Sequence, residues 1–247
     1  MYSILDDAGH GGTDPGAVAN GLKEKDLTLL ISLYQKERFI QHGINVETTR
    51  EIDSTEPTLT NRMLMGRKCD LSISNHINAG GGTGFEIWKS IKSDNIWCSM
   101  IINEIKKLNI TSRGIKTRLS TIYSGYDYFA MNNTQPAQGI IIEYGFIDSD
   151  DYLILINRWM EMAEAVVKAT VEYLGIKYVE VNMAKLIDKH PDWFNLGVEA
   201  LNDLASRGIL SNPELHIEVL KNADENSQNW LNFVIDSRIC KKLNIQK

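Results

Sequence analysis

Up to about Gly175, the apolar residues alternate between short uninterrupted runs and stretches with helical spacing. The short runs predict strands at 2–7, 44–49, 71–74, 84–88 and 139–143. The helical spacing predicts helices at 24–40, 59–68, 94–108 and 159–174. Strands that alternate with helices in this way are typical of the α/β fold class, in which helices cover a sheet.

The clearest predicted elements are one helix and one strand. The helix at 24–40 has one apolar face because four residues follow the spacing i, i+3, i+4 and i+7. They are Leu27, Leu30, Ile31 and Tyr34. The strand at 139–143 carries consecutive isoleucines, as expected for a strand that is buried on both faces.

The composition changes near Lys177, and no strand pattern follows. We therefore divide the chain into a first domain, residues 1–177, and a small mainly helical C-terminal domain, residues 182–247. Trp193 and Trp230 in the second domain could stack on sugars. Each taken singly is more often a core residue of a small helical bundle.

The composition is that of an ordinary globular protein, with 43% hydrophobic and 23% charged residues. The formal net charge of −6 argues against a nucleic-acid partner, because a phosphate-binding surface is normally basic. Cys69, Cys98 and Cys240 are scattered and odd in number, so neither a disulfide framework nor a cysteine zinc site is predicted. We expect them to be small buried hydrophobic residues or inert thiols.

The sequence gives no indication of a membrane segment. No apolar run approaches the ~18 residues that a membrane-spanning helix needs. The first residues lack the basic start and the longer apolar segment of a signal peptide, since Asp6 and Asp7 follow Leu5 at once. We therefore expect a protein that is made in the cytoplasm without a signal peptide.

Four polar residues stand at or near the ends of predicted elements. His10 follows the first strand in a turn with four nearby glycines, and His76 follows the strand at 71–74. Glu24 opens the first helix, and Glu143 ends the isoleucine strand. Ligands of open α/β sheets bind at the carboxyl ends of the strands, so these residues are candidates for one site. Two imidazoles and one carboxylate suit a catalytic zinc ion and leave its fourth position for water.

Each of these residues, taken alone, also has an ordinary structural explanation. His10 could be a solvated histidine in a surface turn, and Glu24 could serve the helix dipole. Glu143 is expected in a partly desolvated environment, where an ionised carboxylate must be stabilised by a metal, a hydrogen bond, water or an ion pair. Arg50 and Arg113 are the candidates for such an ion pair. The remaining histidines have no strand-end setting and are interpreted as surface residues: His42, His190 and His216.

Taken together, over about residues 3–175, these segments resemble the zinc-dependent N-acetylmuramoyl-L-alanine amidases, the family known as amidase type 3. Smaller matches are Thr49-Arg50, Arg113-Gly114-Ile115-Lys116 and Pro136-Ala137. The resemblance implies that His10, Glu24 and His76 hold one catalytic zinc ion and that Glu143 is the catalytic residue. It also implies a twisted, mostly parallel sheet flanked by helices.

By this resemblance, the expected reaction is zinc-dependent hydrolysis of the amide bond between N-acetylmuramic acid and L-alanine in peptidoglycan. Without a signal peptide, the protein fits an endolysin of a phage or prophage of a Gram-positive host, which reaches the cell wall once the membrane is opened. The C-terminal domain is expected to bind a cell-wall polymer. Homo-oligomerisation through this domain is the main alternative.

Three other functions stay open at this point. A zinc peptidase that cuts within the stem peptide of peptidoglycan would keep the same metal site. A wall-binding protein without catalysis is a second alternative, although it would have no physical need for an open zinc site. The third is an interaction protein in which zinc only stabilises the fold, and such a protein would unfold when the metal is removed.

Overall fold

The centre of the protein is a six-stranded sheet, seen in a computed structural model that describes residues 1–180. In chain order the strands are β1 (Ser3–Ala8), β2 (Val18–Ala19), β3 (Leu22–Lys23), β4 (Asn45–Thr48), β5 (Leu71–Asn78), β6 (Phe85–Lys89), β7 (Ser112–Lys116) and β8 (Gln138–Phe146). Strands β2 and β3 form a small separate hairpin, and the sheet has the order β4-β1-β5-β8-β6-β7. The predicted C-terminal domain at 182–247 lies outside the described residues, as do Cys240, His190 and His216.

The helices are α1 (Glu24–Gln41), α2 (Leu59–Gly66), α3 (Ile96–Lys107), α4 (Asp151–Asn157) and α5 (Trp159–Tyr173). Helices α1 and α3 both contact α5, which joins them into one layer. Helix α2 contacts a short 3₁₀ turn at Ala130–Asn132, and between them lies a buried apolar cluster that reaches the sheet. Its buried members are Leu5, Cys69, Met131 and Ile141. The predicted α/β fold, a mostly parallel sheet flanked by helices, is confirmed.

The directions of the strands decide which residues meet at each edge of the sheet. Strands β4, β1, β5 and β8 are parallel, so the carboxyl ends of these strands lie at one edge. Strand β6 runs antiparallel to β8, and β7 is parallel to β6. Therefore β6 and β7 begin at the same edge at which β1, β5 and β8 end.

Most predicted elements are present, with bounds that differ by a few residues. The strand predicted at 71–74 continues to Asn78, so His76 lies inside β5 and not beyond its end. The isoleucine strand continues to Phe146, so Glu143 also lies inside its strand. The burial of β8 along nearly its whole length agrees with the prediction of a central strand. The β2–β3 hairpin, β7 and α4 were not predicted.

The prediction that His42 is a surface residue is wrong. The residue is 9% exposed, and its ring stacks on Tyr178 with the ring centroids 5.5 Å apart. Its Nε2 accepts a hydrogen bond from the backbone N–H of Val179 at 3.0 Å. The chain therefore returns after α5 and covers the end of α1, a long-range contact that local spacing does not reveal.

Two predictions from composition agree with the structure. Cys69 and Cys98 are buried free thiols, as expected for cysteines outside a disulfide framework. Between residues 1 and 180, no helix has both the length and the apolar character that crossing a membrane requires.

Arg38 and Glu164 form a buried ion pair that joins α1 to α5. The Arg38 side chain is 1% exposed, and its Nη2 lies 2.8 Å from Oε1 of Glu164. Glu164 also accepts hydrogen bonds from the hydroxyl groups of Tyr34 at 2.8 Å and Tyr178 at 2.6 Å. Removing one partner of such a pair leaves the other charge buried and uncompensated.

We expect Arg38→Met to lower the free energy of unfolding by about 3 kcal/mol or more, because breaking a buried ion pair typically costs ~3–5 kcal/mol. Urea denaturation followed by circular dichroism measures this change. Lys107→Met is the matched control, since Lys107 is 64% exposed where it pairs with Glu104, and exposed pairs contribute only ~0–1 kcal/mol. Equal losses in the two variants would contradict the role of the buried pair.

Candidate metal centre

His10 lies in the turn that follows β1, at the edge of the sheet where β1, β5 and β8 end. Its backbone has a φ of 61°, a left-handed conformation that few residues other than glycine adopt. Its Nδ1 lies 2.7 Å from Oδ2 of Asp14. This contact directs the other ring nitrogen, Nε2, towards Oε2 of Glu24 at 3.2 Å.

Two arginines fix the backbone around His10. Arg50 donates from Nη2 to the carbonyl oxygen of Gly9 at 3.0 Å. Arg62 donates from Nη1 to the carbonyl oxygen of Ala8 at 2.6 Å and from Nη2 to that of His10 at 2.5 Å. Both arginines are buried, so these charge-assisted hydrogen bonds hold the turn in one conformation.

Glu24 is the first residue of α1, but its carboxylate does more than balance the helix dipole. Oε1 accepts a hydrogen bond from the backbone N–H of Ile77 at 2.9 Å and lies 3.0 Å from Nδ1 of His76. Oε2 accepts from the backbone N–H of Ala17 at 2.8 Å. Two backbone donors therefore orient the carboxylate between the two histidines.

The side chains of His10, Glu24 and His76 converge on one point. One donor atom of each residue lies within 4.8 Å of the donor atoms of the other two. The two imidazole rings are nearly perpendicular, with centroids 5.0 Å apart. Both histidine side chains are 24% exposed, so the cluster is open to solvent on one side.

Two glycines make this convergence sterically possible. A Cβ atom at Gly16 would lie 2.6 Å from Oε2 of Glu24, and one at Gly9 would lie 2.6 Å from Cε1 of His76. Both distances are far below a normal contact. The glycines around His10 therefore serve the close approach of the three side chains, which a plain surface turn would not need.

The charges of the three groups are strongly coupled. Burial opposes a charged imidazole, but the hydrogen bond and the charge of Glu24 outweigh it and raise the pKa of His76 to about 9. The same contacts raise the pKa of His10. Although burial would raise the pKa of Glu24, its hydrogen bonds with His10 and His76 hold that pKa well below the usual range. Glu24 is therefore ionised, and its charge attracts a cation to this point.

The donor set fits a divalent metal ion. Two imidazoles and one carboxylate are ligands that zinc binds in open catalytic sites, where a fourth position stays free. The contact between His10 and Asp14 is the outer hydrogen bond that commonly orients a metal-binding histidine. The His10, Glu24 and His76 cluster could thus hold a metal, with the exposed side left for a small molecule.

Glu143 lies next to this cluster. It is the partner of His76 in the parallel ladder between β5 and β8. Its Oε2 is buried and has no hydrogen-bond partner among residues 1–180. Burial raises the pKa of Glu143 to about 7, with the negative charges of Glu24 and Glu86 acting in the same direction and the positive charge of His76 against it.

The alternative in which Glu143 forms a buried ion pair with Arg50 or Arg113 is wrong. Arg50 donates to backbone carbonyl groups, and Nε of Arg113 lies 2.5 Å from Oε2 of Glu86. A carboxyl group with a buried oxygen that has no hydrogen-bond partner costs folding free energy, so its presence needs an explanation other than stability. A role in chemistry at the adjacent cluster is such an explanation.

A buried polar network supports the strands that carry the cluster. Asn75 donates from Nδ2 to Oδ1 of Asp6 at 2.7 Å and accepts from the hydroxyl of Tyr144 at 2.9 Å. These bonds tie β5 to β1 on one side and to β8 on the other. Asn75 directly precedes His76 and Tyr144 directly follows Glu143, so these bonds help to fix the relative positions of His76 and Glu143.

The structure brings together the four residues selected from the sequence, and two further charged residues at this edge were not selected. Asp14 stands four positions after His10, and that spacing within a glycine-rich turn was its only signal. Glu86 is a charged residue inside the strand predicted at 84–88, where a buried charge calls for partners. The partners of Asp14 and Glu86 depend on the tertiary fold and are not given by local sequence.

Comparisons with known proteins agree with this geometry. The family model described as N-acetylmuramoyl-L-alanine amidase matches residues 4–175, which include all four candidate residues. The endolysin of Bacillus phage SPP1 is 33% identical over 187 residues, covering 69% of this chain and 65% of the phage protein. The N-acetylmuramoyl-L-alanine amidase CwlM of Bacillus licheniformis is 35% identical over 158 residues, covering 60% of this chain and 58% of CwlM.

Solved structures show the same fold. The crystal structure of an N-acetylmuramoyl-L-alanine amidase from Clostridium difficile 630 has a TM-score of 0.59 and 26% sequence identity, and the match covers 72% of this chain and 98% of that one. The chain spans less than two thirds of the length of the phage endolysin and of CwlM. The family match nevertheless takes in most of the chain. The chain therefore belongs to the N-acetylmuramoyl-L-alanine amidase family.

Proposed function

We propose that this protein hydrolyses the amide bond between N-acetylmuramic acid and L-alanine in peptidoglycan, with zinc held by His10, Glu24 and His76 and with Glu143 as general base. The observation that carries the proposal is the buried carboxyl oxygen Oε2 of Glu143, which has no hydrogen-bond partner among residues 1–180. It lies one strand from His76, beside a cluster that can bind a metal, within the range of the family match.

Zinc is the metal that we assign to the cluster, because two histidine nitrogens and one carboxylate oxygen suit zinc better than magnesium or calcium, which prefer oxygen ligands. A bound zinc ion supplies Lewis acidity, which polarises an amide carbonyl group and makes water more acidic. The open side of the cluster is where the substrate amide would enter.

Glu143 moves the proton in the proposed reaction. Its carboxylate takes a proton from the attacking water and then gives it to the nitrogen of the departing L-alanine. Burial raises the pKa of Glu143 above that of an exposed glutamate, which makes its carboxylate a better proton acceptor. Asp14 keeps His10 in the orientation that presents Nε2 to the cluster.

The biological setting that we propose is lysis of the bacterial cell wall. The similarity to a phage endolysin supports it, as does the membership of a peptidoglycan amidase family. The enzyme would then act at the wall of a Gram-positive host after the membrane is opened. We retain residues 182–247 as a proposed second domain that binds a wall polymer.

Mass spectrometry of the fragments released from purified Gram-positive cell walls tests the proposed reaction. We expect free stem peptides whose new amino terminus is L-alanine, together with glycan strands that carry free lactyl groups. Cuts inside the stem peptide would assign the protein to the peptidases. If zinc-loaded protein releases no fragments from walls of several types, a wall-binding role without catalysis would be favoured instead.

Asp14→Ala is expected to weaken zinc binding by about 10- to 100-fold, because a partner that orients a metal-binding histidine typically contributes that much to affinity. Competition with a fluorescent zinc chelator measures the change. Asp94→Ala is the control, since Asp94 bonds to the backbone N–H of Ile96 at the start of α3 and contacts neither histidine. Unchanged affinity in Asp14→Ala would show that the contact with His10 is incidental.

A further inference from the structure

Glu86 in β6 is a buried carboxylate that accepts hydrogen bonds at both oxygens. The residue is 2% exposed. Oε1 accepts from Nδ2 of Asn78 at 3.1 Å and from Nε1 of Trp88 at 2.9 Å. Oε2 lies 2.5 Å from Nε of Arg113 and 2.6 Å from Nζ of Lys116. Two cations from β7 therefore share one carboxylate oxygen.

Arg113 and Lys116 are together called the β7 cation cluster, and their partner Glu86 lies beside Glu143. In the sheet, Glu86 is directly opposite Glu143 on one side and beside Gly114 on the other. Adjacent strands are ~4.8 Å apart, so the backbone of β7 lies about 10 Å from that of Glu143. The guanidinium of Arg113 also lies 5.0 Å from the ring centroid of Phe146, near the end of β8.

The β7 cation cluster carries more positive charge than Glu86 can neutralise. Arg113 and Lys116 are two cations for one carboxylate, and their side chains are 38% and 29% exposed. Among residues 1–180, Nη2 of Arg113 has no acceptor, and Nη1 reaches only the carbonyl oxygen of Thr83 at 3.5 Å. Lys116 uses one of its three donors on Glu86. Both side chains also lie over aromatic rings, Arg113 over Phe146 and Lys116 over Trp88, and their remaining donors stay free for an acidic ligand.

We propose that Arg113 and Lys116 bind a carboxylate in the peptide part of the substrate, an inference that rests on the proposed amidase function. Exposed guanidinium and ammonium groups with free donors form charge-assisted hydrogen bonds with carboxylates. The chain as a whole has a net charge of −6, so two partly exposed cations side by side on β7 form a local positive patch that favours an acidic ligand.

The distances fit a carboxylate on the second residue of the stem peptide. An extended peptide spans about 3.3–3.6 Å per residue, so this group lies about 7 Å from the amide that is cut. That distance is shorter than the roughly 10 Å between the backbone of Glu143 and the backbone of β7. The second residue of the stem peptide is a γ-linked glutamate, whose α-carboxylate is either free or amidated. The protein is therefore expected to prefer the free form.

Two synthetic substrates that differ only in this group test the proposal: N-acetylmuramoyl-L-alanyl-γ-D-glutamyl-L-lysine and its counterpart with D-isoglutamine. For the full-length enzyme loaded with zinc, we expect kcat/KM to be about tenfold higher for the free acid, mainly through a lower KM. Arg113→Gln and Lys116→Gln should each reduce this ratio towards one. Arg113→Lys should retain part of it, because the charge is kept.

Lys92→Gln is the matched control, since Lys92 lies over the ring of Tyr126 and has no contact with Glu86. It should leave the ratio unchanged. The ratio compares two substrates of the same enzyme sample, so partial misfolding of a variant cancels. Equal cleavage of both substrates by the wild type would overturn the carboxylate site while the amidase function stands. Cleavage of neither substrate at the lactyl amide, by enzyme that holds zinc, would overturn both.

Discussion

Glu143→Gln is expected to bind zinc as tightly as the wild type and to release stem peptides at least ~100-fold more slowly, because a positioned general base contributes about 10²- to 10⁴-fold to the rate. Glutamine has nearly the same shape as glutamate but cannot accept the proton of the attacking water. Since Glu143 is not one of the three residues that converge on the metal position, its replacement should leave those donor atoms in place.

Metal content and turnover of the same protein sample measure the two parts of this prediction. Glu161→Gln is the matched control, because it makes the same chemical change on α5, where Glu161 pairs with Arg158. Turnover close to that of the wild type in Glu143→Gln would remove Glu143 from the mechanism. Loss of zinc in Glu143→Gln would make Glu143 part of the metal site instead.

Removal of zinc by a chelator is expected to lower turnover by about 1,000-fold or more while the protein stays folded. The metal is proposed to supply several kcal/mol of charge stabilisation in the transition state, and each 1.36 kcal/mol corresponds to about tenfold in rate. The apolar core is independent of the metal position. Its strands β1, β5 and β8 carry fully buried residues, such as Ile4, Ile73 and Ile142.

Far-UV circular dichroism and turnover, measured before and after chelation, test this prediction together. Addition of Zn²⁺ should restore turnover, whereas Mg²⁺ should not, because magnesium demands oxygen ligands in octahedral geometry. Unfolding upon chelation would support the interpretation in which zinc only stabilises the fold. Full turnover without any bound metal would contradict the proposed chemistry.

The main features of the fold could be predicted from local patterns. The spacing of apolar residues predicts helix α1, and the run of isoleucines predicts strand β8. Both elements are present with nearly the predicted bounds. Strand β7 was not predicted, because its five residues, Ser112–Lys116, contain two cations and a glycine and do not alternate between apolar and polar. Its place in the sheet comes from pairing with β6, a long-range contact.

The candidate site was predictable where short motifs carry the chemistry. None of His10, Glu24, His76 and Glu143 was diagnostic alone, but their motifs and their order along the chain were informative together. The structure brings the first three together, with Glu143 on the adjacent strand. The β7 cation cluster was not predictable, because the antiparallel direction of β6 places Glu86 opposite Glu143. Nothing in the residues of β6 alone indicates its direction.

His10, Glu24 and His76 are proposed to hold a zinc ion beside Glu143. Anomalous X-ray diffraction at the zinc absorption edge, from crystals of the full chain grown with zinc, tests this claim most directly. We predict one strong peak within about 2.0–2.2 Å of a nitrogen of each histidine and an oxygen of Glu24, with Glu143 close by but not bonded. A peak coordinated by other residues, or no peak at this cluster, would contradict the account.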